Sequence, residues 1–140
     1  MKPQNFSYVR LIKSEDLNHH GTLFAGRCAE WFIEAAFIAA ASALPAENIV
    51  CLKVHGFEFI QPLHLGEIAH FESRIVFTGH TSLIVNINLH NKDKDGPIVS
   101  GFITFVNINK DGKPVPHGLN LELQDIKDIE INKTASLLRK

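Results

Sequence analysis

The stretch from Phe24 to Leu44, FAGRCAEWFIEAAFIAAASAL, constrains this chain more than any other. It is dense in Ala and long apolar residues, carries Gly26 early and meets Pro45 as a stop, so it predicts one long helix. Arg27, Glu30, Glu34 and Ser42 are its few polar residues. A helix so apolar must be wrapped on several sides by protein or lipid. Glu34 leaves an uncharged run shorter than the about 20 residues that a bilayer span needs, so protein is the wrapping.

The remainder of the 140 residues supplies it. IVCLKVHGFEFIQP, AHFESRIVFTG, TSLIVNINLHNK and PIVSGFITFVNINK follow the helix and SYVRLIK precedes it, each bounded by Gly, Pro, Asn or Asp signals of the kind that flank strands. Short turns at Thr78-Gly79-His80, Asp93 to Gly96 and Lys110-Asp111-Gly112 imply antiparallel hairpins rather than crossovers. The order of strand, long helix, then four or five strands predicts an α+β domain, a curved antiparallel sheet wrapped around one buried helix. That domain is expected over 1–118. From 119 to 140, Leu123, Ile126 and Ile129 stand at helical spacing among charges, which predicts a peripheral helix or tail.

Lys plus Arg number 14 against 15 for Asp plus Glu, so there is no basic field to gather nucleic acid or an anionic membrane surface. The first residues lack the apolar core of a signal peptide, and Cys28 and Cys51 read as reduced thiols with no CxxC pair, so a cytoplasmic protein is expected. No His, Cys or carboxylate set has metal-ligand spacing, and no metal or separate cofactor is expected.

The segment from Asp16 to Gly26 resembles the opening of the central helix in the acyl-CoA hydrolase group of hotdog thioesterases. That group carries roughly N-x-x-G-x-x-F-G-G; the chain matches at Asn18, Gly21, Phe24 and Gly26, with Ala25 for the first paired glycine. Phe59, Pro62, Gly66 and Glu67 match an FxxPxxxGE run, and Gly79, Thr81 and Ser82 a GxTS turn, so the similarity spans about Ser7 to Pro116. The resemblance implies the hotdog fold and hydrolysis of an acyl-CoA, with CoA present only as part of the substrate. The group commonly has an Asp within a W-x-D-E-A-like run; here the run is Trp31-Phe32-Ile33-Glu34-Ala35, and Ile33 holds the Asp position.

Thioester hydrolysis needs a donor for the carbonyl oxygen, a group that activates water or attacks, and a stabiliser for the leaving thiolate. The first-turn N–H groups near Phe24, Ala25 and Gly26 can supply the first, and small residues there let a ligand approach. Glu30 and Glu34 are the helix carboxylates. At about 100° per residue, Glu30 lies about 60° from the direction of Ile33 and one turn nearer the N-terminus, so it is the better substitute; an ion-paired stripe through Arg27, Glu30 and Glu34 is the competing reading. His55 shares strand parity with Cys51, Phe57 and Phe59 and is expected to face the helix.

Thr22, Glu30 and His55 also resemble the Thr, Glu and His set of fluoroacetyl-CoA thioesterases, in which Thr22 would attack or position water, Glu30 act as base and His55 shuttle a proton. Thr22 is equally suited to cap the helix. Asn18 carries over by resemblance as the residue that positions the carbonyl or water, and equally suits an Asx turn. His19 and His20 could line the entrance, although neighbours in an extended loop point apart. Thr81 and Ser82 are candidates for the pantetheine arm, and Lys53, Arg74, Lys92 and Lys94 for the phosphates. Two alternatives remain open: a non-catalytic acyl-CoA-binding hotdog protein, prompted by Ile33, and a hydroxyacyl-thioester dehydratase or hydratase, prompted by His20 and Glu34 fourteen residues apart. An exposed sheet edge invites a second copy. Hotdog domains generally pair edge to edge with sites between subunits, which implies a homodimer or a larger tetramer or hexamer.

Overall fold

The computed structural model describes residues 1–91 and 96–139. Lys92 and Lys94 and most of the turn expected at 93–96 lie outside them. Five strands form one antiparallel sheet in the order β1-β3-β4-β5-β2, with β1 Phe6–Leu11, β2 Ile49–Val54, β3 Ile68–Thr78, β4 Ser82–Asn91 and β5 Val99–Asn107. One long helix, α1 Ala25–Ala43, follows β1, and a second, α2 Ile126–Leu137, closes the chain.

α1 packs through Cys28, Trp31, Phe32, Ala35, Ala36, Ala39 and Ala40, the 3- and 4-residue spacing of one helix face. The alanines bring the helix axis close to the sheet, where Leu83, Val85, Ile87 and Leu89 of β4 and Val99, Ile103 and Phe105 of β5 complete the core. The wrapping is less complete than expected from composition. The sheet covers one face, and Glu30, Glu34 and Ile38 stay exposed on the other.

Two further expectations need correction. The run from Ile49 to Pro62 is not one strand: β2 ends at Val54, and Gly56, at φ +92°, turns the chain out of the sheet. At the C-terminus the buried face of α2 is not the one marked by Leu123, Ile126 and Ile129. Ala135 is fully buried against Val76 and Ile84, with Ile131 and Leu138 beside it, whereas Ile126 is exposed and Leu123 precedes the helix. Arg74 of β3 grips the nearly buried Asp128 through two hydrogen bonds of 3.0 and 2.8 Å, so a bidentate ion pair directs the docking. Arg74 is thereby engaged in the fold. α2 lies on the sheet face opposite α1.

Candidate active site

The loop before α1 is built by Asn18. Its Oδ1 accepts from the backbone N–H of His20 at 2.9 Å and of Thr22 at 3.1 Å, while its Nδ2 donates to Thr22 Oγ1 at 3.0 Å. This is the Asx turn expected of the residue, with the amide left as a fixed donor beside a hydroxyl. Gly21 holds φ +78°, which only glycine adopts easily, and the tight turn lays the rings of His19 and His20 3.9 Å apart instead of pointing them apart. Thr22 does not cap the helix. Phe24 occupies that position without a side-chain bond, and Thr22 bridges to His64 as an antiparallel pair.

The amides of Ala25, Gly26 and Arg27, in the first turn, have no carbonyl within the helix to reach, and they carry the positive end of its dipole. Gly26 serves packing as well as access: a Cβ there would meet the Phe24 ring at 2.5 Å, so the glycine lets that ring lie across the first turn.

Asn18, Thr22 and Ala25 open onto a cavity of about 290 Å³ that runs between α1 and the sheet, lined deeper by Cys28, Leu63, Leu89 and Val99. The Cys28 thiol is pushed up to about 12 by burial, so it is an inert wall rather than a nucleophile. Neither helix carboxylate faces this cavity. Glu30 is about 160° around the helix from Cys28, its side chain is 65% exposed, and it sits 3.9 Å from Arg27, whose other partner is the buried Asp16. Glu34 accepts from the Tyr8 hydroxyl of β1, to which Arg10 also donates, and burial together with Glu34 raises the Tyr8 pKa. Of the expected stripe, Arg27 and Glu30 pair, while Glu34 bonds to Tyr8 instead. His20 and Glu34 have separate partners, His19 and Tyr8.

His55 is placed on the sheet face opposite the one expected. A β-bulge between Cys51 and Lys53 inserts Leu52 and reverses the alternation, so Cys51 pairs with inward-facing Phe105 but Lys53 with outward-facing Thr104. His55 Nε2 lies 2.6 Å from Thr104 Oγ1, and burial, helped by Lys53, lowers its pKa. There it joins Lys53, Thr81, Ser82, His80 and Arg139 around a groove of about 770 Å³. The sequence-derived residues thus fall into three groups: Asn18, Thr22, Phe24, Ala25 and Gly26 at the helix start, Glu30 and Glu34 on the exposed face of α1, and His55, Thr81 and Ser82 across the sheet.

A further cluster went unread in the sequence. Glu67 Oε1 accepts from His64 N at 2.6 Å and lies 3.0 Å from His64 Nδ1, while Asn91 Nδ2 donates to Glu67 Oε2. Burial alone would raise the Glu67 carboxyl, but the bonds from Asn91 and His64 outweigh it and hold the pKa below the ordinary glutamate value. The HxxE spacing inside the FxxPxxxGE run was its signal.

The thioesterase superfamily model matches residues 20–98, more than half of the chain, including Thr22 and the first turn of α1. The chain belongs to the thioesterase superfamily. Its sheet wrapped on a central helix is the hotdog fold that the resemblance implied. As a thioesterase superfamily member it is similar to the cytosolic acyl coenzyme A thioester hydrolase of Rattus norvegicus, at 28% identity over 116 residues, 79% of this chain but 30% of that protein. The chain therefore spans about a third of the length of that curated relative. Among solved structures, an acyl-CoA hydrolase from Bacillus cereus superposes with a TM-score of 0.87 at 24% identity, covering 96% of this chain and 84% of the other. The hexameric thioesterase from Yersinia pestis superposes with a TM-score of 0.70 at 25% identity, covering 78% and 91%.

Proposed function

We propose that this thioesterase superfamily member hydrolyses an acyl-CoA to the free acid and CoA beside Thr22. The observation that carries the reading is one apolar cavity whose mouth holds a fixed amide, a hydroxyl and a helix N-terminus. The acyl chain packs between Cys28, Leu63, Leu89 and Val99, and the thioester oxygen, as it gains negative charge, meets Asn18 Nδ2 and the first-turn N–H groups. The rat relative, named for acyl-CoA hydrolysis, supports the substrate class. No cofactor takes part, and the cytoplasm, where acyl-CoA and free thiols coexist, is the setting. Among the described residues no helix is long and apolar enough to cross a membrane.

A second copy completes the site. β2 has one free edge and exposes Val50 and Leu52, an apolar strand ready for edge pairing. The assembly of the Yersinia thioesterase, a hexamer, supports an oligomer. Because the 770 Å³ groove lies across the sheet from the cavity, Thr81, Ser82, Lys53 and His55 serve CoA only at a site shared between subunits, and Glu30 likewise acts only on its partner's thioester.

Two measurements check this. Acyl-CoAs of graded chain length, followed by free-thiol release, should show enzyme-dependent hydrolysis; binding without release would leave only a sensor. Inactive Thr22→Ala and inactive Glu30→Gln chains, mixed and exchanged, should regain one intact site per mixed dimer. Mixtures that stay inactive after confirmed exchange overturn the shared site.

A further inference from the structure

We propose that His64 is the proton-transferring base of this site, working on a water beside Thr22, with Glu67 and Asn91 as the residues that position it. The inference rests on hydrolysis at Thr22 as argued above.

Leu23 N donates to Leu63 O at 2.8 Å, so Thr22 and His64 form the kind of antiparallel pair that lies between ladder hydrogen bonds. In such pairs the Cα atoms approach to about 4.5 Å and the two side chains project to the same side. The imidazole, 60% exposed, therefore projects to the same side as the side chain of Thr22, the residue that opens onto the cavity. Its Nδ1 is 3.0 Å from Glu67 Oε1, and a carboxylate can only accept, so the neutral ring carries its proton on Nδ1 and presents Nε2 as an acceptor. Glu67 is held in turn by the buried amide of Asn91 and by His64 N. The loop that faces His64 contributes Asp16, already engaged by Arg27 and by Lys13 N, together with His19 and His20 as its titratable groups. Since Glu30 and Glu34 point away from the cavity, His64 with Glu67 is the acid-base pair that one chain itself places at Thr22.

The chemistry balances without another reactant. Water, positioned by Thr22 Oγ1, forms the bond to the thioester carbon as its proton passes to Nε2. The C–S bond then breaks, its electron pair leaves on the CoA sulfur, and the imidazolium returns the proton to that sulfur.

With the best substrate from the chain-length series, His64→Gln should lower kcat about a hundredfold, leave KM within a few-fold and abolish the acid limb of the kcat/KM profile. Glu67→Gln, which keeps an acceptor for His64 N, should lower kcat about tenfold. A ring whose role is only structural would move the melting temperature and not the pH profile. Nitrogen-15 NMR supplies an arm independent of turnover: neutral His64 should carry its proton on Nδ1 in the wild type and lose that preference in Glu67→Gln. His64→Gln with kcat within threefold of wild type and an unchanged acid limb, or a neutral ring protonated on Nε2, overturns the proposal while leaving acyl-CoA hydrolysis standing. A wild type that releases no thiol from any acyl-CoA instead removes the functional reading on which the proposal rests.

Discussion

Asn18→Asp is expected to lower kcat by about 10²–10³-fold while the melting temperature stays near that of the wild type. The two effects separate because Asn18 does two jobs with different atoms. Its Oδ1 accepts from His20 N and Thr22 N and shapes the loop, and an aspartate oxygen accepts equally well. Its Nδ2 is the donor beside Thr22, and the substitution replaces that N–H with a second carboxylate oxygen. The thioester oxygen then loses a fixed donor and gains a negative neighbour in a partly desolvated site, and loss of one such donor alone costs about 2.7–4 kcal/mol of transition-state stabilisation. Steady-state kinetics with parallel calorimetry checks it. A folded Asn18→Asp protein with kcat within a few-fold of wild type would show that the carbonyl is not held here.

The largest expected effect on stability is Phe32→Ala, a loss of about 3–5 kcal/mol. For a chain of this size that corresponds to a fall of about 10 °C or more in Tm. Phe32 is 0% exposed, on the face of α1 that meets the sheet. Its ring stacks on Phe57 with centroids 4.5 Å apart, and Phe57 packs edge-on against Phe59, which lines the cavity. Across the interface Gly101 makes room for it: a Cβ at that position would meet Phe32 Cζ at 2.9 Å and the carbonyl oxygen of Gly56 at 3.0 Å. Truncation thus leaves a void bounded by backbone that has little freedom to collapse, and it loosens the segment carrying Phe59. Thermal unfolding of Phe32→Ala and Phe32→Leu tests the argument, with Leu expected to recover more than half of the loss. Equal destabilisation by both would point to lost aromatic geometry rather than lost volume.

Much of this protein was legible in its residues alone. The apolar run of α1, the alternating strands and the Gly-rich turns each encode local structure, and only one arrangement buries a long helix face with a single antiparallel sheet. Asn18 was readable for the same reason, since an Asx turn and its leftover donor are set within five residues. Tertiary structure decided what depends on meetings between distant segments. One inserted residue, Leu52, reverses the parity of β2 and carries His55 to the far face, because side chains alternate at every residue and a bulge shifts all that follow. The docking face of α2 joins Ile131, Ala135 and Leu138 at helical spacing to Asp128, whose partner Arg74 stands 54 residues away, so the choice between this face and that of Leu123, Ile126 and Ile129 was left to packing. Whether Glu30 and Glu34 face the cavity or solvent depended on which side of α1 the sheet covers, a choice that helical periodicity leaves to packing. His64 meets Thr22 only because the 16–23 loop and the 63–67 loop lie side by side. No pattern along the chain encodes that bridge, since contacts between loops are fixed by the scaffold that holds them.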